Sequence, residues 1–392
     1  MEMNVLLIGC LTALSIFLII YHHAGYPLLL HFLGSRLGSN EDPETDDDLF
    51  HQSSLPSITI VVPAYNEEQF IADKIRNLSI LDYPQDRFQV IIASDGSTDA
   101  TYEIALQTLN EPECKHCSIK VIEFVENRGK IVVLNDIMNS VESDIVALSD
   151  VSALISIDAL RLAEKQFRDP AVGVVNGHYR LLNPGSEGER KYWEYQSKVK
   201  FDEAQVGSVI GSHGAFYLFR THLFRSLPSD TINDDFIIPM QIVEQGYRSI
   251  YEPDINALEL EQAEDSQDSK RRMRISAGNM QQAFRMRSLL LPKHRGTAFT
   301  FASGKVLRVA MPYLLITAFL GSLYLSAHHP VFLFLAIVQT AIYSLYCVTE
   351  ILRIGNSFKP LQILKYLIRG HLNGLKGSAS YISGSLLKSI SK

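Results

Sequence analysis

Three apolar runs constrain what the rest of this 392-residue chain can become. Asn4 to Leu33 is apolar and almost uncharged, and it exceeds the roughly 20 helical residues needed to cross about 30 Å of hydrocarbon. Val309 to Ala327 and Val331 to Ile351 are joined by only a few residues, including His328, His329 and Pro330. That spacing predicts a tight helical hairpin in the bilayer. No basic segment precedes the first run, and it is too long for a cleaved leader, so a retained anchor is expected.

Basic residues then orient the chain. Lys293, Arg295, Lys305 and Arg308 precede the hairpin and Lys359, Lys365 and Arg369 follow it, whereas the short connection and the N-terminus carry none. By the positive-inside rule those flanks are cytoplasmic. The expected placement is therefore the inner (plasma) membrane, multi-pass, with the globular part in the cytoplasm. Net charge of −7 argues against nucleic acid as a partner. Part of that acidity is crowded into Ser39 to Ser54, where Glu41, Asp42, Glu44 and Asp46 to Asp48 predict a linker that cannot bury a core. Cys114 and Cys117 form an isolated Cys-Lys-His-Cys without a second ligand pair, which points to reduced thiols in a polar loop.

Between linker and hairpin the pattern changes. Short β-branched runs at Ile58 to Val62, Val90 to Ala93, Ile119 to Phe124, Ile145 to Leu148 and Val172 to Val175 alternate with helical stretches, the rhythm of a parallel sheet wrapped by helices. The first run leads into Val62-Pro-Ala-Tyr-Asn-Glu-Glu68, and the second into Ser94-Asp-Gly-Ser-Thr-Asp99. Both turns sit at carboxyl ends of strands, the edge where open parallel sheets bind ligands. Asn127-Arg-Gly-Lys130 then opens a helix, and Leu148-Ser-Asp-Val-Ser152 closes a strand. Together they offer a cation for phosphate and a carboxylate for a hard dication, a set that suits a nucleoside diphosphate.

With these motifs, and with Gly211-Ser-His-Gly-Ala-Phe-Tyr217, Asn233-Asp-Asp-Phe236 and Gly246 to Pro253 after them, the chain resembles family 2 glycosyltransferases with the GT-A fold from roughly Ser57 to Pro312. The resemblance implies an α/β, Rossmann-like nucleotide-binding catalytic domain attached to transmembrane and interfacial helices. The expected organisation is an N-terminal transmembrane helix (4–33), an acidic linker (39–55), a cytosolic GT-A domain (56–270), basic interface helices (271–308), the transmembrane hairpin (309–351) and an interfacial amphipathic segment (361–392).

Carried over by that resemblance, Pro63, Tyr65, Glu67, Asp95, Lys130 and Asp150 bind the nucleotide-sugar donor, Asp150 also holding Mg2+ or Mn2+. It is the first carboxylate of an Asp-x-Asp motif whose second carboxylate is here Ser152. Asp235 corresponds to the catalytic base, with Asp234 beside it as a positioning residue; read without the resemblance, the pair would simply cap a helix. His213, Arg271, Arg272 and Arg274 are candidates for diphosphate or acceptor. The basic run resembles the Gln-x-x-Arg-Trp segment of processive synthases, but Ile275 stands where those have tryptophan. The expected reaction is therefore a single inverting transfer to a lipid-linked saccharide acceptor. A processive polysaccharide synthase and a non-catalytic nucleotide-binding membrane protein are the alternatives.

Overall fold

The computed structural model describes residues 2–37, 55–184, 187–261, 265–352 and 358–384. Nearly all of the expected acidic linker, and the end of the expected interfacial segment, lie outside the described residues. Two compact units emerge. One comprises Leu30–Ala263 with Met286–Ala298, and the other Met1–Leu29, Glu264–Arg285 and Phe299–Lys392.

Helices α1 (Glu2–Ile20) and α2 (Tyr26–Leu37) are joined by a π-helical turn, Tyr21–Gly25. The α/β unit then runs β1 (Ile58–Ala64), α3 (Ile71–Ser79), β2 (Phe88–Asp95), α4 (Thr101–Thr108), β3 (Ile119–Phe124), α5 (Lys130–Met138), β4 (Ile145–Leu148), β5 (Ala153–Ile155) and α6 (Ala159–Phe167). After these come β6 (Val172–Leu181), α7 (Glu187–Val206), β7 (Tyr217–Arg220), α8 (Asp234–Glu244) and β8 (Arg248–Glu259). One sheet holds every strand described, in the order β3-β2-β1-β4-β7-β6-β8-β5. The first four are mutually parallel, as the alternating pattern predicts; β7 runs against both of its neighbours and β5 runs against β8.

The reason for the parallel half lies in its side chains. Ile58, Ile60 and Val62 of β1 and Val90 and Ile92 of β2 are buried, as are Ile71, Ile75 and Leu78 of α3 at helical spacing. Helices cover a parallel sheet on its faces, so its strands read as near-continuous apolar runs. This core anchors the strand ends from which the motif-bearing turns emerge.

The helical unit adds α9 (Asp265–Arg285), α11 (Leu307–Leu325), α12 (Pro330–Ile351) and α13 (Lys359–Ile382), with the short α10 (Gly296–Thr300) lying before α11. Among the described residues three segments are long and apolar enough to cross a membrane: Met3–Leu37, Gly296–Leu325 and Pro330–Ile351. Leu6, Phe17, Leu320, Phe334 and Ile337 on them are exposed, an arrangement that suits hydrocarbon rather than water. Gly321 lets α1 and α11 approach closely, since a Cβ there would stand 1.9 Å from the Thr12 hydroxyl oxygen. Helix α13 is amphipathic and is not among the candidate spans. Its Lys365 and Arg369 pair with Glu350 of α12.

Candidate active site

The two turns that follow β1 and β2 form one platform. Asn66 takes a left-handed conformation, φ 57°, which asparagine tolerates better than most residues. Its side-chain oxygen accepts the Thr98 N–H at 2.8 Å, and its own N–H donates to the Ser97 hydroxyl at 3.2 Å. Glu68 N–H donates to Asp99, and Ala100 N–H returns to the Glu68 carboxylate, each at 3.1 Å. Glu67 N–H donates to the Thr101 hydroxyl at 2.7 Å. Pro63 is half-buried in β1, while Tyr65 remains 48% exposed at the rim.

Asp95 closes β2 and is buried. Its two carboxylate oxygens accept the backbone N–H groups of Arg128 and Gly129, both at 2.8 Å. Each oxygen keeps a further lone pair for an incoming donor. Gly96 is obligatory beside it: φ is +64°, and a Cβ would lie 2.3 Å from the Asn127 nitrogen. Asp95 thus clamps the turn that launches α5 and its first residue, Lys130.

Lys130 is the centre of the charge arrangement. Its ammonium lies 3.2 Å from Asp150 and 3.2 Å from Asp234. Burial would depress it, but Asp150, Asp234 and Asp235 outweigh that and hold it well above the ordinary lysine range. Burial conversely pushes Asp150 up, and Lys130, His213 and Lys74 overcome this to keep its carboxyl below the usual range. Gly214 makes room for that carboxylate, since a Cβ there would meet Asp150 Oδ2 at 2.7 Å.

The glycine loop is tied to α8 by a device involving Pro239. Proline inside a helix supplies no N–H to the carbonyl four residues earlier, and that carbonyl belongs to Asp235. Ser212 N–H donates to it at 2.8 Å. Gly211, φ +76°, packs so closely on Phe236 that a Cβ would stand 2.5 Å from the ring. His213 stacks on Tyr179 at 3.7 Å between ring centroids and meets Trp193 edge-on at 5.1 Å, while its Nδ1 accepts the Ala215 N–H. It therefore belongs to an aromatic cluster, and His213 itself acts electrostatically on Asp150.

Of the sequence-predicted residues, the α/β unit brings Lys130, Asp150 and Asp234 together, with Asp235 next in the chain. It gathers Tyr65, Glu67 and Asp95 on the adjoining turns. The arginine run lies on α9 of the helical unit. Arg272 there stacks its guanidinium over Tyr366 at 4.8 Å, Arg274 is exposed, and the Arg271 side chain lies outside the described residues.

Two groups escaped the sequence reading. Lys74 is completely buried in α3, and its ammonium donates to the Ser149 hydroxyl at 2.6 Å and to the Ala153 carbonyl, bracketing the turn that carries Asp150. Burial lowers it to about 7 against the pull of Asp150 and Glu259. The available signal was a lysine on the apolar stripe of Ile71, Ile75 and Leu78. Glu259, at the end of β8, accepts a hydrogen bond from Ser152. A carboxylate from a distant strand thus stands beside the residue that replaces the second aspartate of the motif.

Among the described residues no group of three or more His, Cys, Asp and Glu side chains is arranged to hold a metal ion. The donor chemistry nonetheless fits a hard dication that takes one protein carboxylate and completes its shell with phosphate oxygens and water. Glu67 records the excess of negative charge: burial, then Glu261, Asp150, Glu259 and Asp99, push it up to about 7.

Residues 59–227 match the family described as Glycosyl transferase family 2. Poly-beta-1,6-N-acetyl-D-glucosamine synthase of Staphylococcus aureus (strain COL) is 28% identical over 226 residues, 56% of this chain and 52% of that protein. The protein of the same name from Staphylococcus epidermidis is 27% identical over 211 residues, 52% of this chain and 49% of that one. The chain spans about half the length of these curated relatives. Among solved structures, the mannosyltransferase PcManGT from Pyrobaculum calidifontis, in complex with GDP-Man and Mn2+, matches with a TM-score of 0.71 at 22% identity. That match covers 95% of this chain and 99% of the other, a likeness of fold.

Proposed function

This chain carries a glycosyl transferase family 2 domain with the GT-A fold, and from that premise we propose that it transfers a sugar from a nucleotide-sugar, most readily a UDP-sugar, to a membrane-associated acceptor with inversion. The acceptor in this reading is a polyprenyl-diphosphate-linked oligosaccharide in assembly of a surface polysaccharide. The chain lies in the inner membrane as a multi-pass protein, its α/β unit in the cytoplasm. One observation carries the proposal: the Lys130 ammonium bridges Asp150 and Asp234, with Asp235 adjacent.

In this mechanism the platform of Pro63, Tyr65, Glu67 and Asp95 receives the nucleoside, and Lys130 turns its charge toward the diphosphate. Asp150 would hold Mg2+ or Mn2+, which supplies positive charge for the leaving diphosphate. Asp235 removes the proton from an acceptor hydroxyl, whose oxygen attacks the anomeric carbon from the face opposite the diphosphate. The bond from that carbon to the phosphate oxygen breaks, its electron pair leaves with the nucleoside diphosphate, and the configuration inverts. Asp234 shares Lys130 with Asp150 and so positions the start of α8. His213 or Arg274 would contact diphosphate or acceptor, and Arg271 and Arg272 complete the candidate set.

The relatives' name favours a second reading, processive synthesis of a homopolymer. Ile275 in place of tryptophan argues for single additions. The test uses protein purified in detergent with Mn2+, screened against UDP-, GDP- and dTDP-sugars with and without an extract of lipid-linked oligosaccharide. Release of one nucleotide that needs the extract is expected, and Asp235→Asn should slow it by about 10²–10⁴-fold with donor binding retained. Wild-type turnover in that variant removes Asp235 as the base, and a long polymer ladder removes single addition.

A further inference from the structure

Three histidines and an arginine converge within the helical unit. His22 and His23 lie in the π-helical turn Tyr21–Gly25, and His371 lies on α13. The His23 ring stands edge-on to His22 at 5.1 Å and edge-on to His371 at 5.8 Å. Arg308, at the start of α11, acts electrostatically on both His22 and His23. A second π-helical segment, Phe301–Val306, runs directly into α11. The two segments are pinned together: His22 Nδ1 lies 3.1 Å from the Ser303 carbonyl oxygen, and the Tyr21 and Ser303 hydroxyls are 2.9 Å apart. Such π turns open a helix and recur at functional positions.

His22 is thereby accounted for as a structural group. The others are not: among the described residues the His23, His371 and Arg308 side chains make no hydrogen bond or ion pair to protein. No carboxylate acts on His23 or His371. What remains is a pair of imidazoles in ring contact, one of them under the charge of a guanidinium, with no carboxylate acting on either. Basic groups on a membrane span are costly unless something pairs with them.

The surroundings select the partner. His23 is exposed, and on the same candidate span Phe17, Ile20 and Leu28 are exposed apolar side chains on either side of it; Leu367 and Leu372 flank His371 on α13. A polar spot within an apolar surface matches an amphiphile with a compact anionic head. Arg308 belongs to the basic flank that the positive-inside rule assigns to the cytoplasmic boundary. We propose that His23, His371 and Arg308 bind the phosphate or diphosphate group of the lipid that carries the acceptor sugar. Guanidinium and imidazole N–H groups supply charge-assisted hydrogen bonds to its oxygens. The inference rests on the lipid-linked acceptor proposed above.

The experiment uses the full chain in phosphatidylcholine nanodiscs and measures binding of radiolabelled polyprenyl diphosphate, with phosphatidylglycerol and inorganic diphosphate as competitors. His23→Ala/His371→Ala and Arg308→Gln should each weaken polyprenyl diphosphate binding, and raise the KM for the lipid acceptor, by about tenfold or more. The KM for donor should not move, and Arg308→Lys should recover part of the loss. Unchanged lipid binding and acceptor KM in both variants overturn the site. Equal competition by phosphatidylglycerol overturns it in favour of bulk anionic lipid, and equal competition by inorganic diphosphate overturns the lipid as its source. Wild-type protein that turns over donor but transfers to no lipid sinks the acceptor reading instead, a result that the variants do not produce.

Discussion

Asp95 and Asp150 stand at the same edge of one sheet, the first closing β2 and the second two residues beyond β4, yet they are held in opposite ways. Asp95 is gripped by backbone: both of its oxygens accept main-chain N–H groups of the turn before α5. Asp150 is held by side chains, with Lys130 at 3.2 Å and His213 and Lys74 acting electrostatically. Backbone donors cannot move without unfolding the turn. An ammonium on a four-carbon stem can leave one carboxylate for an incoming phosphate and return. The same residue type at equivalent places is therefore held by main chain in one turn and by side-chain charge in the other.

The sharpest way to break this contrast is Asp150→Asn. Removing the charge that faces Lys130 should lower kcat by about 10²–10³-fold while Tm stays near that of the wild type. A variant that unfolds instead would make Asp150 a structural group too. Asp95→Asn should do the reverse. It forfeits the charge on a doubly hydrogen-bonded carboxylate, costing about 1–3 kcal/mol of stability, with kcat at saturating donor largely retained. Lost turnover at unchanged Tm would put Asp95 in the chemistry.

The smallest effect concerns Glu67. Its folded pKa of about 7 exceeds its ordinary value of 4.5, so the folded state holds that proton more tightly than the unfolded chain. The contribution to stability is full below about 4.5 and is lost as pH rises through about 7. Glu67→Gln removes that loss. Its Tm should exceed the wild-type value at pH 8, with the difference shrinking toward pH 5 in a thermal-unfolding series. A difference independent of pH would mean that the surrounding carboxylates do not set the Glu67 charge.

Much of the frame was legible because local periodicity carries it. β3 and β4 fall at the residues expected. β1, β2 and β6 run on by two to six residues where side chains outside the β-branched runs continue a strand whose neighbours already fix it. β8 was not legible as a strand, since Pro253, Asp254 and Asn256 interrupt its apolar pattern; pairing with β6 across two irregularities makes it one. The reversed direction of β7 was equally hidden, because strand direction is a property of pairing rather than of composition.

At the site, residue types and order were legible from Asp95 to Asp235, and so were three segments apolar enough to span a bilayer. Partnership was not. That Asp95 faces amides while Asp150 faces Lys130, that a lysine from α3 supports the Asp150 turn, and that Glu259 stands beside Ser152 all join residues far apart in the chain. Pro239 shows the boundary between the two kinds of knowledge. Sequence alone dictates that the Asp235 carbonyl loses its helical partner, because proline has no N–H to give. Only the tertiary structure decides that Ser212 takes the bond, because a carbonyl without its helical donor is satisfied by whichever donor the fold brings within reach.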